Sequence, residues 1–280
     1  MKKKLYTIGN VAKQAMISTR TLRYYEKLGL IKPDFVGDNA YRYYEEDTIL
    51  KLTIIKYLKL IGFSLEEIKA QLISQDVNKM LANFDKILAR SDIEIEEIIQ
   101  RKEIVNDWKD LLEESQMLEM QRIEDVNVRY MAEKRLISYP IVFDFDYKSA
   151  ILNLEFSSFI NKKNNNISGP VMFHFDDVNE RLRAEDKGDK ISVNYIQKTV
   201  KKIDSDLNFH LKPEFCASLY HYGSYDRINL SYKKLLDWQK TSYYRFKGPV
   251  IERFVFDYWT SFDEDKFITE LILPIEKLRY

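Results

Sequence analysis

The chain has 280 residues, enough for about two domains, and its hydrophobic fraction of 45% is ordinary for a soluble globular protein. The 44 basic and 44 acidic side chains cancel, no apolar run has the length of a membrane span, and the opening Met1–Lys2–Lys3–Lys4–Leu5–Tyr6 lacks the apolar stretch of a secretory signal. A single cysteine, Cys216, excludes an internal disulfide framework and fits a reducing compartment, so a cytoplasmic protein without membrane contact is expected.

The zero net charge hides an asymmetry. Residues 1–75 carry 13 Lys and Arg against 8 Asp and Glu, and the remainder carries 31 against 36. A basic head on an acidic body suits a protein that touches DNA at one end only.

Thr7 is placed to cap a first helix running through Val11, Ala12 and Ala15, and Ser18 to cap a second. The second begins with Arg20–Thr21–Leu22–Arg23–Tyr24–Tyr25. After Gly29–Leu30–Ile31–Lys32–Pro33 and the turn-prone Gly37–Asp38–Asn39 comes another basic-aromatic cluster, Tyr41–Arg42–Tyr43–Tyr44, read as the returning strand of a β-wing. Arg supplies a forked cation for phosphates or guanine edges, and Tyr a rigid ring whose hydroxyl reaches a phosphate. A helix and a β-ribbon so equipped suit a DNA backbone crossing between grooves.

These segments resemble the MerR family of bacterial transcription regulators. The residues that carry the resemblance are Tyr6–Thr7–Ile8–Gly9–Asn10–Val11–Ala12, Thr21–Leu22–Arg23–Tyr24–Tyr25–Glu26, Gly29–Leu30–Ile31–Lys32–Pro33 and Tyr41–Arg42–Tyr43–Tyr44, in family order and at family spacing. The resemblance implies double-stranded promoter DNA and RNA polymerase as partners. With the residue chemistry it marks Arg20, Arg23, Tyr24, Tyr25, Arg42, Tyr43 and Lys59 as DNA-binding candidates. For Lys56, phosphate contact and a solvated helix face are both open readings.

A third helix is expected from Glu45 to Ile61, with Ile49, Leu52, Ile55 and Leu58 facing a core and Gly62 ending it. Ser64–Leu65–Glu66–Glu67 reads as a capping box for a fourth helix through Ile68 and Leu72. Residues 78–118 contain neither Pro nor Gly. A 3–4 alternation there places Leu81, Phe84, Leu88, Ser91, Ile95, Ile98, Lys102, Val105, Lys109 and Leu112 on one seam. A helix of about 40 residues spans roughly 60 Å and leaves such a seam seeking a partner. A second copy of the chain, giving a homodimer through residues 78–118, is one reading, and packing on the chain's own C-terminal domain is the other. The family resemblance implies an antiparallel coiled coil.

The C-terminal half repeats itself. Ile167–Ser168–Gly169–Pro170–Val171 matches Phe246–Lys247–Gly248–Pro249–Val250 at an offset of 79. Around each lies an extended run (128–136; 214–222), an amphipathic helix (147–161; 225–240), the Gly-Pro turn with a strand (171–175; 250–256), and a last strand (191–197; 267–275). Two such units imply one pseudo-symmetric antiparallel domain. Tyr220–His221–Tyr222–Gly223–Ser224–Tyr225, Gly248–Pro249–Val250 and Thr269–Glu270–Leu271–Ile272–Leu273–Pro274–Ile275 are similar to the GyrI-like effector-binding domain.

The expected fold class is thus α + α+β, with a winged helix-turn-helix at 1–75, a long dimerisation helix at 76–120, and a two-repeat α+β effector-binding domain at 121–280. Multidrug-sensing members of this combination hold an acid in an aromatic pocket for a lipophilic cation, and the resemblance places that acid at Glu270. Glu270 lies in an otherwise apolar strand, where a carboxylate needs a cation or donor partner, and Tyr222, Tyr258 and Trp259 offer faces for a cation. An exposed strand face, or pairing with an internal arginine such as Arg253, is equally open. His174, His210 and His221 lack metal-ligand spacing, and no cysteine lies between Asp76 and Ile137 where metal-sensing relatives carry theirs. No metal, cofactor or catalytic residue is therefore expected. The expected function is a dimeric regulator that distorts promoter spacer DNA when a small lipophilic or cationic effector binds. The alternatives are a GyrI-like small-molecule hydrolase and a regulator answering to a protein partner.

Overall fold

The computed structural model describes residues 4–38, 40–202 and 207–278. Met1–Lys3 and Asn39, named above in the opening segment and the wing turn, lie outside the described residues. The chain divides into two compact units, one ending at Glu97 and the other beginning at Ile98.

The first unit runs β1 (Tyr6–Thr7), α1 (Ile8–Ala15), α2 (Thr19–Lys27), β2 (Phe35–Val36), β3 (Arg42–Tyr44), α3 (Glu46–Leu60) and α4 (Leu65–Ser74), followed by the start of α5 (Val77–Met120). The helix starts follow the capping chemistry. Thr7 accepts from Asn10 N–H, Ser18 from Thr21 N–H, and Ser64 with Glu67 forms the reciprocal capping box. Glu45 makes no side-chain cap for α3. Asp34 reaches across instead, its Oδ2 accepting from Glu45 N–H at 2.8 Å and Thr48 Oγ1 at 2.7 Å. Gly62 ends α3 at φ +105°, where a side chain would be strained. Val11, Leu22, Tyr44, Ile55, Phe63 and Ile68 form the fully enclosed centre of this unit. β1, β3 and β2 make a three-stranded antiparallel sheet.

Helix α5 has 44 residues and a length of about 66 Å. Its first turns pack Met80, Phe84 and Ile87 onto the core of the first unit, with Phe84 edge-on to Phe63 at 5.6 Å. Phe84 thus serves the head. Leu88, Ile95, Ile98 and Val105 are 54–62% exposed.

The second unit adds β4 (Asn127–Met131), β5 (Lys134–Phe143), α6 (Tyr147–Ile151), α7 (Leu154–Lys162), β6 (Ile167–Phe175), α8 (Val178–Lys187), β7 (Ile191–Thr199), β8 (Asn208–Leu211), β9 (Glu214–Tyr222), α9 (Ile228–Thr241), β10 (Tyr244–Phe246), β11 (Val250–Phe256) and β12 (Ile268–Lys277). Its sheet has the order β4-β9-β12-β11-β6-β7-β5-β8, with β10 also on β12. The central six strands read β9-β12-β11 and then, mirrored, β6-β7-β5, so the two repeats meet at the β11–β6 pair. Gly169 and Gly248, the matched glycines, both adopt positive φ, +68° and +119°. Gly169–Pro170 sits within a register shift inside β6, whereas Gly248–Pro249 precedes β11.

Three expectations about this half need correction. The extended run at 128–136 divides between β4 on β9 and the start of β5 on β8, because extended propensity does not specify the neighbour. The helix expected at 147–161 is broken, because Asn153 caps a new helix by accepting from Phe156 N–H at 2.8 Å. Helix α8 has no place in the expected repeat, although its signals stand in the sequence: Asp177 accepts from Asn179 and Glu180 N–H, and Gly188 closes it at φ +69°.

Strand alternation gives the sheet two distinct faces. Phe173, Tyr195, Leu219, Phe254, Leu271 and Leu273 belong to the core formed with α6, α7 and α9. Within that core the buried Arg181–Glu252 pair (3.0 Å) is completed by the hydroxyls of Tyr147 and Tyr232. The intervening residues, including Ile251, Arg253, Glu270 and Ile272, belong to the other face. There Leu111 and Leu118 of α5 pack on Val255 and Ile268.

Candidate functional sites

In the head, α2 buries Leu22 and leaves Arg20, Arg23, Tyr24 and Lys27 exposed. Their i, i+3, i+4, i+7 spacing puts them on one helix face. Tyr25 turns half into the core. β3 presents Arg42, exposed, and Tyr43, whose ring lies 6.0 Å from Phe35. Glu26 joins helix to wing: Oε2 accepts from Arg42 Nε at 2.9 Å, and Oε1 accepts from the Tyr44 hydroxyl. Burial, then the bond to Glu26, pushes the Tyr44 pKa up, so its hydroxyl stays a donor. Lys69 Nζ donates to Leu28 O at 2.9 Å and fixes the far end of α2. Lys59 is exposed on α3, while Lys56 Nζ donates to Ala15 O at 3.4 Å.

In the second unit two adjoining cavities, about 460 and 420 Å³, share Glu114, Lys134, Met172 and Arg253 as walls. Glu270 is 1% exposed at the edge of the second. It stands directly opposite Arg253 in the β11–β12 register. Its Oε1 accepts from Arg129 Nε (3.0 Å), Arg129 Nη2 (2.7 Å) and Ser218 Oγ (2.5 Å), and its Oε2 from Arg253 Nη1 (2.9 Å). Arg253 also grips Glu114 on α5, at 2.8 Å from Nη1 and 2.5 Å from Nη2. Burial works against the charge of Arg253, but its bonds to Glu114 and Glu270 outweigh that and raise its pKa. For Glu114 burial likewise opposes ionisation, and the Arg253 bond wins, holding its carboxyl below the usual range.

The aromatic residues proposed beside Glu270 lie elsewhere. The Tyr222 hydroxyl accepts from Ile123 N–H at 3.0 Å, and its ring lies under Arg122 at 4.6 Å. The Tyr258 hydroxyl donates to Glu264 Oε1 at 2.6 Å, and Trp259 faces Trp108 at 6.0 Å. None of the three lines the cavities; Tyr130 and Tyr220 line the second. Of the two partners left open for Glu270, the structure supplies Arg253, and Arg129 besides. Cys216 is buried, and burial pushes its thiol up to about 11. Among the described residues no group of His, Cys, Asp and Glu could hold a metal ion, and no helix is long and apolar enough to cross a membrane.

Residues 6–74, the capped helices and the wing, match the model of the MerR HTH family regulatory proteins. An HTH-type transcriptional regulator of Bacillus subtilis, YyaN, is 34% identical over 115 residues, which are 34% of this chain and 83% of that one. The chain belongs to the MerR family. Residues 159–276 of this MerR-family chain match a GyrI-like small molecule binding domain. The multidrug-efflux transporter 1 regulator of B. subtilis is 49% identical over 70 residues, but the match spans only a quarter of either chain (25% of each). The multidrug-efflux transporter 2 regulator of the same organism is 22% identical over 282 residues, covering 99% of this chain and 98% of its own. The protein is thus a MerR-family transcriptional regulator with a GyrI-like small molecule binding domain.

Several residues of this regulator's sites escape sequence reasoning. Glu26 sits inside the family motif, yet only the fold brings it to Arg42 and Tyr44. Arg129 lies 141 residues from Glu270 and Glu114 lies 139 from Arg253, and no local periodicity signals either pair.

Proposed function

We propose that this regulator binds promoter DNA as a homodimer through the exposed face of α2 and the wing, and that a small lipophilic effector in the cavity beside Glu270 controls it. The observation that carries the reading is Glu26, which locks the wing residue Arg42 against α2 and so presents helix and wing as one rigid, basic surface. Arg20, Arg23, Tyr24, Arg42, Tyr43 and Lys59 supply phosphate and base-edge contacts, with Tyr25 buttressing the helix. The exposed seam of α5 at residues 78–118 supplies the dimer contact, and two-fold symmetry selects a pseudo-palindrome. Effector binding changes how the dimer bends and untwists an overlong promoter spacer, realigning the two elements for RNA polymerase in the cytoplasm. The full-length likeness to a multidrug-efflux regulator supports a lipophilic effector. The domain binds its ligand without turning it over.

Purified protein incubated with sheared DNA of its source should retain one dominant pseudo-palindrome inside a promoter spacer. Retention without sequence preference would sink the DNA-binding reading. Conversion of a bound ligand to a product would instead make the C-terminal domain a hydrolase.

A further inference from the structure

The cavity walls carry more positive charge than negative where a ligand would meet Glu270. Arg129, Arg253 and Lys134 face Glu114 and Glu270. Glu270 is saturated: its two oxygens accept four hydrogen bonds, about as many as a carboxylate has lone-pair sites. A cation approaching it finds two guanidinium groups already in place. The other acid on this side of the cavities is Glu114, which Arg253 already engages through both terminal nitrogens. In the neighbouring cavity Asp107 is bound by Lys198 at 2.8 Å and by Ser168, and Asp110 is exposed to solvent.

Lys134, which lines both cavities, forms no ion pair among the described residues. Its pKa is lowered, first by partial desolvation at the cavity wall and then by Arg253 and Arg129, with Glu270 and Glu114 opposing. The remaining walls are apolar, with Leu111, Leu136 and Met172 in the larger cavity.

We propose that the effector is an apolar molecule bearing one carboxylate or comparable anionic group, which sits between Lys134 and Arg253 and takes the place of the Glu114 carboxylate. This rests on the reading of the cavity as the effector site. The replacement is selective. Glu270 is held opposite Arg253 by strand register and by two further donors, whereas Glu114 is supplied by α5. An anion that displaces Glu114 therefore leaves the sheet intact and releases one of the charged holds on α5, the helix that continues back to Val77, while Lys198 keeps Glu103 and Asp107. Ligand charge is thereby converted into a change at one helix, and the coupling is reciprocal.

The test uses the full-length protein and three probes with one apolar body: 2-naphthoate, 2-naphthylmethylammonium and the neutral 2-naphthalenemethanol, titrated calorimetrically near neutral pH. The expected result is naphthoate binding at least about tenfold tighter than either other probe. Lys134→Met should remove most of that preference. Glu114→Gln should strengthen naphthoate binding by weakening its competitor. Preference for the ammonium probe, or equal affinity for all three, overturns the proposed charge while leaving a ligand-binding cavity. Weaker naphthoate binding in Glu114→Gln overturns the displacement of Glu114. Failure of all three probes to bind overturns the proposal together with the effector reading beneath it.

Discussion

Arg23 stands on the exposed face of α2 between Arg20 and Tyr24. If it neutralises one phosphate, Arg23→Ala should weaken DNA binding and flatten the dependence of log affinity on log salt by roughly one unit. An unchanged slope in a salt series of binding isotherms would remove that role. Asp257 makes a different kind of prediction. Burial raises its carboxyl from 3.8 to about 6, and the Trp259 N–H only partly opposes this. A carboxyl raised by folding contributes stability that is complete below pH of about 4 and is lost as pH climbs through about 6. Asp257→Asn keeps an oxygen for Trp259 and cannot ionise. Relative to wild type it should gain about 2–3 kcal/mol between pH 4 and pH 7, measured by urea unfolding at both. An equal difference at the two pH values would show that Asp257 titrates normally.

The wing and α2 are short elements that neither propensity nor length would hold in place. β2 has two residues and β3 three. What positions them is Glu26, with acceptor oxygens for both Arg42 and Tyr44. The Tyr44 hydroxyl lies in the closed core of the head. Glu26→Ala should leave it without its acceptor and cost roughly 1–3 kcal/mol of head stability. The wing would then be unclamped, and DNA affinity should fall further than loss of one acidic charge near DNA would suggest. Circular dichroism melts and DNA titrations read the two effects separately; an unshifted melt would show that the clamp contributes nothing.

For the molecule as a whole, the exposed seam of α5 is the feature that a single copy leaves unexplained. Leu88 and Ile95 are apolar, 62% and 54% exposed, and scattered singly they would need no explanation. They fall instead on one repeating stripe with Ile98 and Val105. Leu88→Lys combined with Ile95→Lys should convert the dimer to monomer in light scattering without unfolding either unit. A dimer that survives both changes has its interface elsewhere. Dimer loss should also abolish discrimination between a full pseudo-palindrome and a half-site.

Much of the head was legible in the sequence because its determinants are local. Thr7, Ser18, Ser64 with Glu67, and Gly62 act on backbone within a few residues of themselves, and the length of α5 follows from a run without Pro or Gly. The duplication in the C-terminal half was legible from its matched Gly-Pro pairs. The division of residues 128–136 between two strands was not, because extended runs do not name their neighbours. Glu270 stood out as an acid among apolar residues, but its environment came from β4, β9, β11 and α5 at once. Strand register set Arg253 opposite it, and chain segments some 140 residues distant brought Arg129 to Glu270 and Glu114 to Arg253. Capping and periodicity act over a few residues, whereas the charge of a pocket is a sum over whatever folding gathers there. That sum exists only in three dimensions, and here it turned a lone buried acid into one partner of two arginines.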